Sequence, residues 1–142
     1  MTKVWLALAL SVSVLCTSAV YAASSFSERK LTENVSVVGS IDKTGFAQLL
    51  QQGGFQSVIV HRPDQEVGNL VTANDLRNIA EKSHISLIYQ PVQSGKISAN
   101  DVTEFAKYYN NLPKPVLLVC RTGNRSQALY QQAKQQGLIH DE

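Results

Sequence analysis

Four short apolar runs, Val35–Val38, Ser57–His61, Ile85–Tyr89 and Val116–Val119, alternate along this chain with segments of helical period. Few folds accommodate that rhythm. Each run is too short for a helix and rich in branched residues, so it predicts a buried strand. Strands that alternate with helices at regular spacing predict an α/β domain, a mostly parallel sheet of four to five strands flanked by helices. The helices are predicted from Ser40 or Asp42 to about Gln52, from Thr72 to about Lys82, from Ser98 past Tyr109, and from Arg125 to Gln136. Thr72 with Asp75, and Ser98 with Asp101, have the spacing of capping boxes. Asp101 is therefore expected to cap its own helix. Gly53-Gly54 and Gly137 are placed to end the first and last helices.

The last strand runs into Cys120-Arg121-Thr122-Gly123-Asn124-Arg125-Ser126. A strand, a glycine-bearing loop and a helix N-terminus make an anion site, because backbone N–H groups point into the loop and the helix dipole adds positive potential. A cysteine set there between Arg121 and Arg125 favours its thiolate. Ligands of open α/β sheets bind beyond the carboxyl ends of the strands. The loops Arg62–Glu66, Gln90–Lys96 and Cys120–Arg125 all leave that end and are expected to share one cleft.

The chain has 142 residues, enough for one domain with one core. Met1–Ala22 has a basic start at Lys3, an apolar stretch Val4–Leu15, and small residues in Val20-Tyr21-Ala22. This predicts a signal peptide cut after Ala22, with export to the periplasm or the exterior and no stable membrane insertion once cleaved. The polar, serine-rich stretch 23–34 has no period and is expected to be a flexible lead-in. Loss of Lys3 leaves 12 basic against 11 acidic side chains, a net charge of about +1, with no basic stripe to hold nucleic acid. Loss of Cys16 leaves Cys120 alone, so no disulfide can form within the mature chain. His61, His84 and His140 are scattered without ligand spacing, so neither a metal site nor a cofactor is expected. A free thiol after export implies a periplasmic thiol reductant as a partner.

Val38-Gly39-Ser40, Phe55–Asp64, Tyr89-Gln90-Pro91-Val92 and Pro115–Ser126 together resemble the phosphatase-like domain of the β-lactamase-hydrolase-like proteins, which is similar to dual-specificity tyrosine phosphatases. The resemblance covers roughly Val35 to Ala133 and implies a phosphatase-like domain over 35–142. It implies Cys120 as nucleophile and Arg125 as a bidentate clamp on a phosphoryl group. Arg121, Thr122, Gly123, Asn124 and Ser126 would then bind substrate, a small anion or phosphorylated molecule, and Arg62 would bind substrate or pair with Asp64. Ser126 would hydrogen-bond the leaving thiolate or cap the last helix. The loop after the third strand, where tyrosine phosphatases place an acid, carries no carboxylate here. Asp64 is the substitute expected to protonate the leaving group, with Glu66 second.

Two features depart from the tyrosine-phosphatase pattern. Val119 stands where that pattern has His, and four residues, not five, separate Cys120 from Arg125. The shorter loop resembles that of rhodanese sulfurtransferases, which carry a persulfide, although no Asp-x-Arg followed by Gly-His-Ile lies upstream. Sulfur transfer is therefore the alternative to phosphoester hydrolysis, and a catalytically silent anion-binding module is the third reading.

Overall fold

The computed structural model describes residue 13 and residues 26–141; the leader expected at Met1–Ala22 and its cut otherwise lie outside the described residues. Five strands and four helices follow one another as β1 (Glu28–Thr32), β2 (Val35–Val38), α1 (Lys43–Gly53), β3 (Ser57–Val60), α2 (Ala73–Lys82), β4 (Ser86–Tyr89), α3 (Ala99–Asn111), β5 (Val116–Val119) and α4 (Asn124–Gln135). The sheet order is β1-β2-β5-β3-β4. All pairings are parallel except β1 on β2.

Alternation along each strand decides which helices it meets. Val58, Val60, Leu117 and Val119 pack with Phe46, Leu49 and Leu76 from α1 and α2. Ile59, Val116 and Leu118, one residue out of step, pack on the other face with Phe105 and Tyr109 of α3 and Leu129 of α4. Both faces of the sheet are thus covered, which is why the runs read as continuously apolar. The expected caps form. Asp42 Oδ1 accepts from the Gly45 N–H at 2.6 Å, and Thr72–Asp75 and Ser98–Asp101 each close a capping box. Gly54 ends α1 at φ 66°.

One expectation is corrected. Glu28–Thr32 belongs to the stretch read as a flexible lead-in, yet it forms β1 at the sheet edge, pairing Glu28 with Val38 and Arg29 with Val37. Only Leu31 of its five residues is apolar, so no hydrophobic pattern marks it. What holds it is the backbone ladder offered by the free edge of β2. The exposed Glu28, Arg29 and Lys30 then suit an edge that must not recruit another strand.

The register brings the carboxyl ends together. Val38 and Val60 both pair with Val119, and Val60 pairs with Tyr89. The chain therefore emerges at one level from β2 as Gly39, from β3 as His61, from β4 as Gln90 and, centrally, from β5 as Cys120.

Candidate active site

Cys120 leaves the central strand buried, 1% exposed, and its amide still donates to Val38 O at 3.2 Å. The loop after it is shaped by what its carbonyls touch. Arg121 O accepts from Ser40 N at 2.7 Å and Ser40 Oγ at 3.0 Å, and Thr122 O accepts from Arg29 Nη1 at 3.3 Å. With these carbonyls drawn outward, the Gly123 N–H donates inward to Cys120 Sγ at 3.0 Å. The Asn124 N–H is taken by Thr122 Oγ1 at 3.3 Å. The amides of Arg121, Thr122, Arg125 and Ser126 have no partner among the described residues, the last two because they stand in the first turn of α4. A sulfur seat ringed by free N–H groups at a helix N-terminus is built to receive an anion.

Two glycines make the loop possible. Gly123 has φ 87°, and a Cβ there would lie 3.1 Å from Arg29 Nη2. At Gly39 a Cβ would meet Arg121 O at 2.9 Å and Thr122 Cα at 3.1 Å, both backbone atoms that cannot give way. Arg29 completes the outer side, donating to Asn124 Oδ1 at 3.1 Å and Gln127 Oε1 at 2.9 Å.

Arg125 is 7% exposed and its guanidinium reaches inward. Nη1 donates to Val92 O at 2.8 Å and His61 O at 3.4 Å, and Nη2 donates to Glu66 Oε1 at 2.7 Å. Nε is buried with no partner. Both hydrogens of Nη1 and one of Nη2 are therefore committed, which leaves one Nη2–H for a ligand, the Nε–H being sealed from solvent. Glu66 holds Arg62 with its other oxygen, Oε2 to Nε at 2.7 Å. Burial opposes ionisation of Glu66, but hydrogen bonds and charge from Arg125 and Arg62 outweigh it and hold its pKa below the usual carboxylate value.

The remaining expected site residues divide. An open pocket of about 350 Å³ sits over the loop, lined by Cys120, Arg121, Thr122, Asn124, Arg125 and, from the facing segment, Ser94, Gly95 and Ile97. Arg62 is absent from that lining. It is bound to Glu66 and Ser40, lines a depression of about 250 Å³ with Phe26 and Asn69, and shares a small cavity with Cys120. Asp64, expected as the acid, is turned away, because its Oδ1 accepts from the first amide of α2, Ala73 N, at 2.7 Å. Its position beside the cysteine loop in sequence logic yields to a nearer set of unpaired N–H donors. The Ser126 hydroxyl bonds His61 Nδ1 at 2.8 Å in the interior and is wholly buried.

His61, passed over in the sequence as a lone histidine, lies fully buried behind the loop against Phe105. Its Nε2 and Gln90 Oε1 both lack a partner in hydrogen-bonding geometry among the described residues. Burial drives the His61 pKa down to about 3, with Arg125 lowering it further and Gln90 and Asp101 opposing. The ring is neutral in the folded protein and titrates near its ordinary 6.5 when unfolded. The unfolded chain thus binds the extra proton between those values, and stability falls as pH drops from about 6.5 toward 3, by up to about 1.4 kcal/mol per unit. Urea midpoints measured across that window should decline steadily. The slope should be shallower in His61→Gln; an equal slope would remove His61 as the cause.

Against known proteins, the family model described as "Beta-lactamase hydrolase-like protein, phosphatase-like domain" matches residues 27–137. Among solved structures, a proposed phosphatase from Neisseria meningitidis is 28% identical, with a TM-score of 0.65 and 71% of each chain covered. A proposed phosphatase from Shewanella putrefaciens is 21% identical with a TM-score of 0.65, covering 80% of this chain and 71% of the other. The core catalytic domain of the PP-IP phosphatase Siw14 from Saccharomyces cerevisiae, solved with citrate, is 14% identical with a TM-score of 0.54, covering 76% and 74%. A search of the curated proteins finds no match. The fold is that of the tyrosine and dual-specificity phosphatases, as expected.

Proposed function

The chain belongs to the family of the phosphatase-like domain of the beta-lactamase hydrolase-like proteins, and we propose that it hydrolyses phosphoesters through a phospho-cysteine on Cys120. The observation that carries this reading is the seat of Cys120 Sγ, bonded to the Gly123 N–H and ringed by loop amides with no other partner. In-line attack by the thiolate places the three equatorial phosphoryl oxygens among these N–H groups, which stabilise the charge that builds in the transition state. Arg125 contributes through its remaining Nη2–H, while Glu66 and the carbonyls of Val92 and His61 keep it in place. This is a narrower role than a free bidentate clamp.

Arg29 serves the same ring from outside by drawing Thr122 O away from it. Ser126 acts through His61 and anchors the start of α4 from within. The chemistry proceeds after export if the leader is cleaved as its sequence suggests, with a thiol reductant keeping Cys120 reduced.

The purified protein should hydrolyse p-nitrophenyl phosphate in a reductant-dependent manner, and vanadate should inhibit it competitively. Parallel incubation with thiosulfate and cyanide should yield no thiocyanate. Thiocyanate formation without phosphate release would replace this reading with sulfur transfer. Saturable phosphate binding with no turnover in either assay would leave a silent anion-binding module.

A further inference from the structure

The ionisable side chains lining the pocket over the cysteine loop are Cys120, Arg121 and Arg125. None can donate a proton as a carboxylic acid does. The carboxylates of the bordering loops and helix are each committed elsewhere. Glu66 is held ionised between Arg62 and Arg125, Asp64 Oδ1 lies on Ala73 N, and Asp101 Oδ2 lies on Ser98 N at 2.9 Å. The facing segment Gln90–Ser98 contains no acidic residue. An alcohol expelled from phosphorus departs as a strong base and requires such a proton. A phosphate does not.

The rim also carries positive charge without a counter-charge. Arg121 and Lys96 are exposed, and neither has an ion-pair partner among the described residues. Lys96 sits between Gly95 and Ile97, which both line the pocket, so the two cations stand on its opposing loops. One phosphoryl group satisfies the ring of amides. The rim cations suit a second.

Resting on the phosphatase reading of this site, we infer that its substrate class is a phosphoanhydride: the terminal phosphoryl group is transferred and the leaving group is itself a phosphate, received by Arg121 and Lys96. Cys120 sulfur attacks the terminal phosphorus, and the S–P bond forms as the bridging P–O bond breaks. The electron pair goes to the bridging oxygen of the leaving phosphate, which departs without protonation. Water then attacks the phosphorus of the phospho-cysteine. Its O–P bond forms, the S–P pair returns to sulfur, and the proton released passes to the orthophosphate produced.

The test compares kcat/KM, with EDTA present, for inorganic pyrophosphate, phosphoserine and a series of aryl phosphates of graded leaving-group basicity. With no acid to offset leaving-group basicity, kcat/KM should fall roughly tenfold per unit of leaving-group pKa, with phosphoserine slowest. Pyrophosphate should exceed the aryl ester of matched leaving-group pKa. In Lys96→Ala/Arg121→Ala the ratio of pyrophosphate to p-nitrophenyl phosphate should fall about tenfold, the loss of two charge-assisted contacts. A flat series with phosphoserine turned over as well as p-nitrophenyl phosphate, or an unchanged ratio in the double variant, would overturn the inference and leave the phosphatase reading standing. Absence of turnover on every phosphate compound would overturn both.

Discussion

Cys120→Ser is expected to lower kcat/KM on p-nitrophenyl phosphate by at least about a thousandfold while leaving the fold intact. Serine is close in size to cysteine and can keep the bond from the Gly123 N–H that now reaches Sγ at 3.0 Å. Its hydroxyl, unlike a thiol, is not ionised to any useful extent near neutral pH, so a base would have to remove its proton. The loop offers none. His61 is wholly buried and turns Nδ1 to Ser126, not to the pocket. The thermal midpoint should change little, because one buried atom is exchanged and no partner is lost. Residual activity above a tenth of the wild type would place the nucleophile elsewhere.

The second large effect is expected at Glu66, whose side chain is no catalyst in this account. Glu66→Gln keeps the shape but removes the one negative charge set between Arg62 and Arg125, both buried. An amide can still accept from Arg125 through oxygen, but its NH₂ cannot accept from Arg62 Nε. Leaving buried cations without their counter-charge should cost about 3 kcal/mol of stability. It should also loosen the Arg125 guanidinium and lower kcat more than it raises KM, since Arg125 acts as charge develops. The acid side of the stability profile provides a second readout. The Glu66 pKa is depressed in the folded state, so its contribution is present above the ordinary carboxylate value and is lost as pH falls through the folded one. That part of the acid loss should vanish in Glu66→Gln. A variant as stable as the wild type would show that the two arginines do not depend on it.

The four parallel strands and three of the helix starts could be read from the chain because their signals are local. Val116–Val119 is apolar throughout, since helices cover both faces of the sheet, and Thr72–Asp75 and Ser98–Asp101 carry their caps within four residues. The cysteine loop was equally local. β1 was not, because an edge strand such as Glu28–Thr32 takes its hydrogen bonds from a neighbour and needs no apolar face. Arg29 was invisible for the same reason, since it meets Thr122 only once β1 lies on β2. That Asp64 and Glu66 are both committed elsewhere turns on partners close in the chain. The first amide of α2 claims Asp64, and the arginine four residues before Glu66 was the available sign that Glu66 would be an ion-pair partner. That Arg125 spends most of its donors on Val92 O, His61 O and Glu66 depends on three loops meeting, which no spacing within one of them reveals.

The central claim is that Cys120 itself carries the phosphoryl group. Wild-type protein mixed with excess p-nitrophenyl phosphate, quenched in acid within the first turnover and analysed by peptide mass spectrometry, addresses it directly. One phosphoryl group is expected on the peptide that contains Cys120, and none in Cys120→Ser. Release of p-nitrophenol with Cys120 unmodified, or with an added sulfur in place of a phosphoryl group, would contradict it.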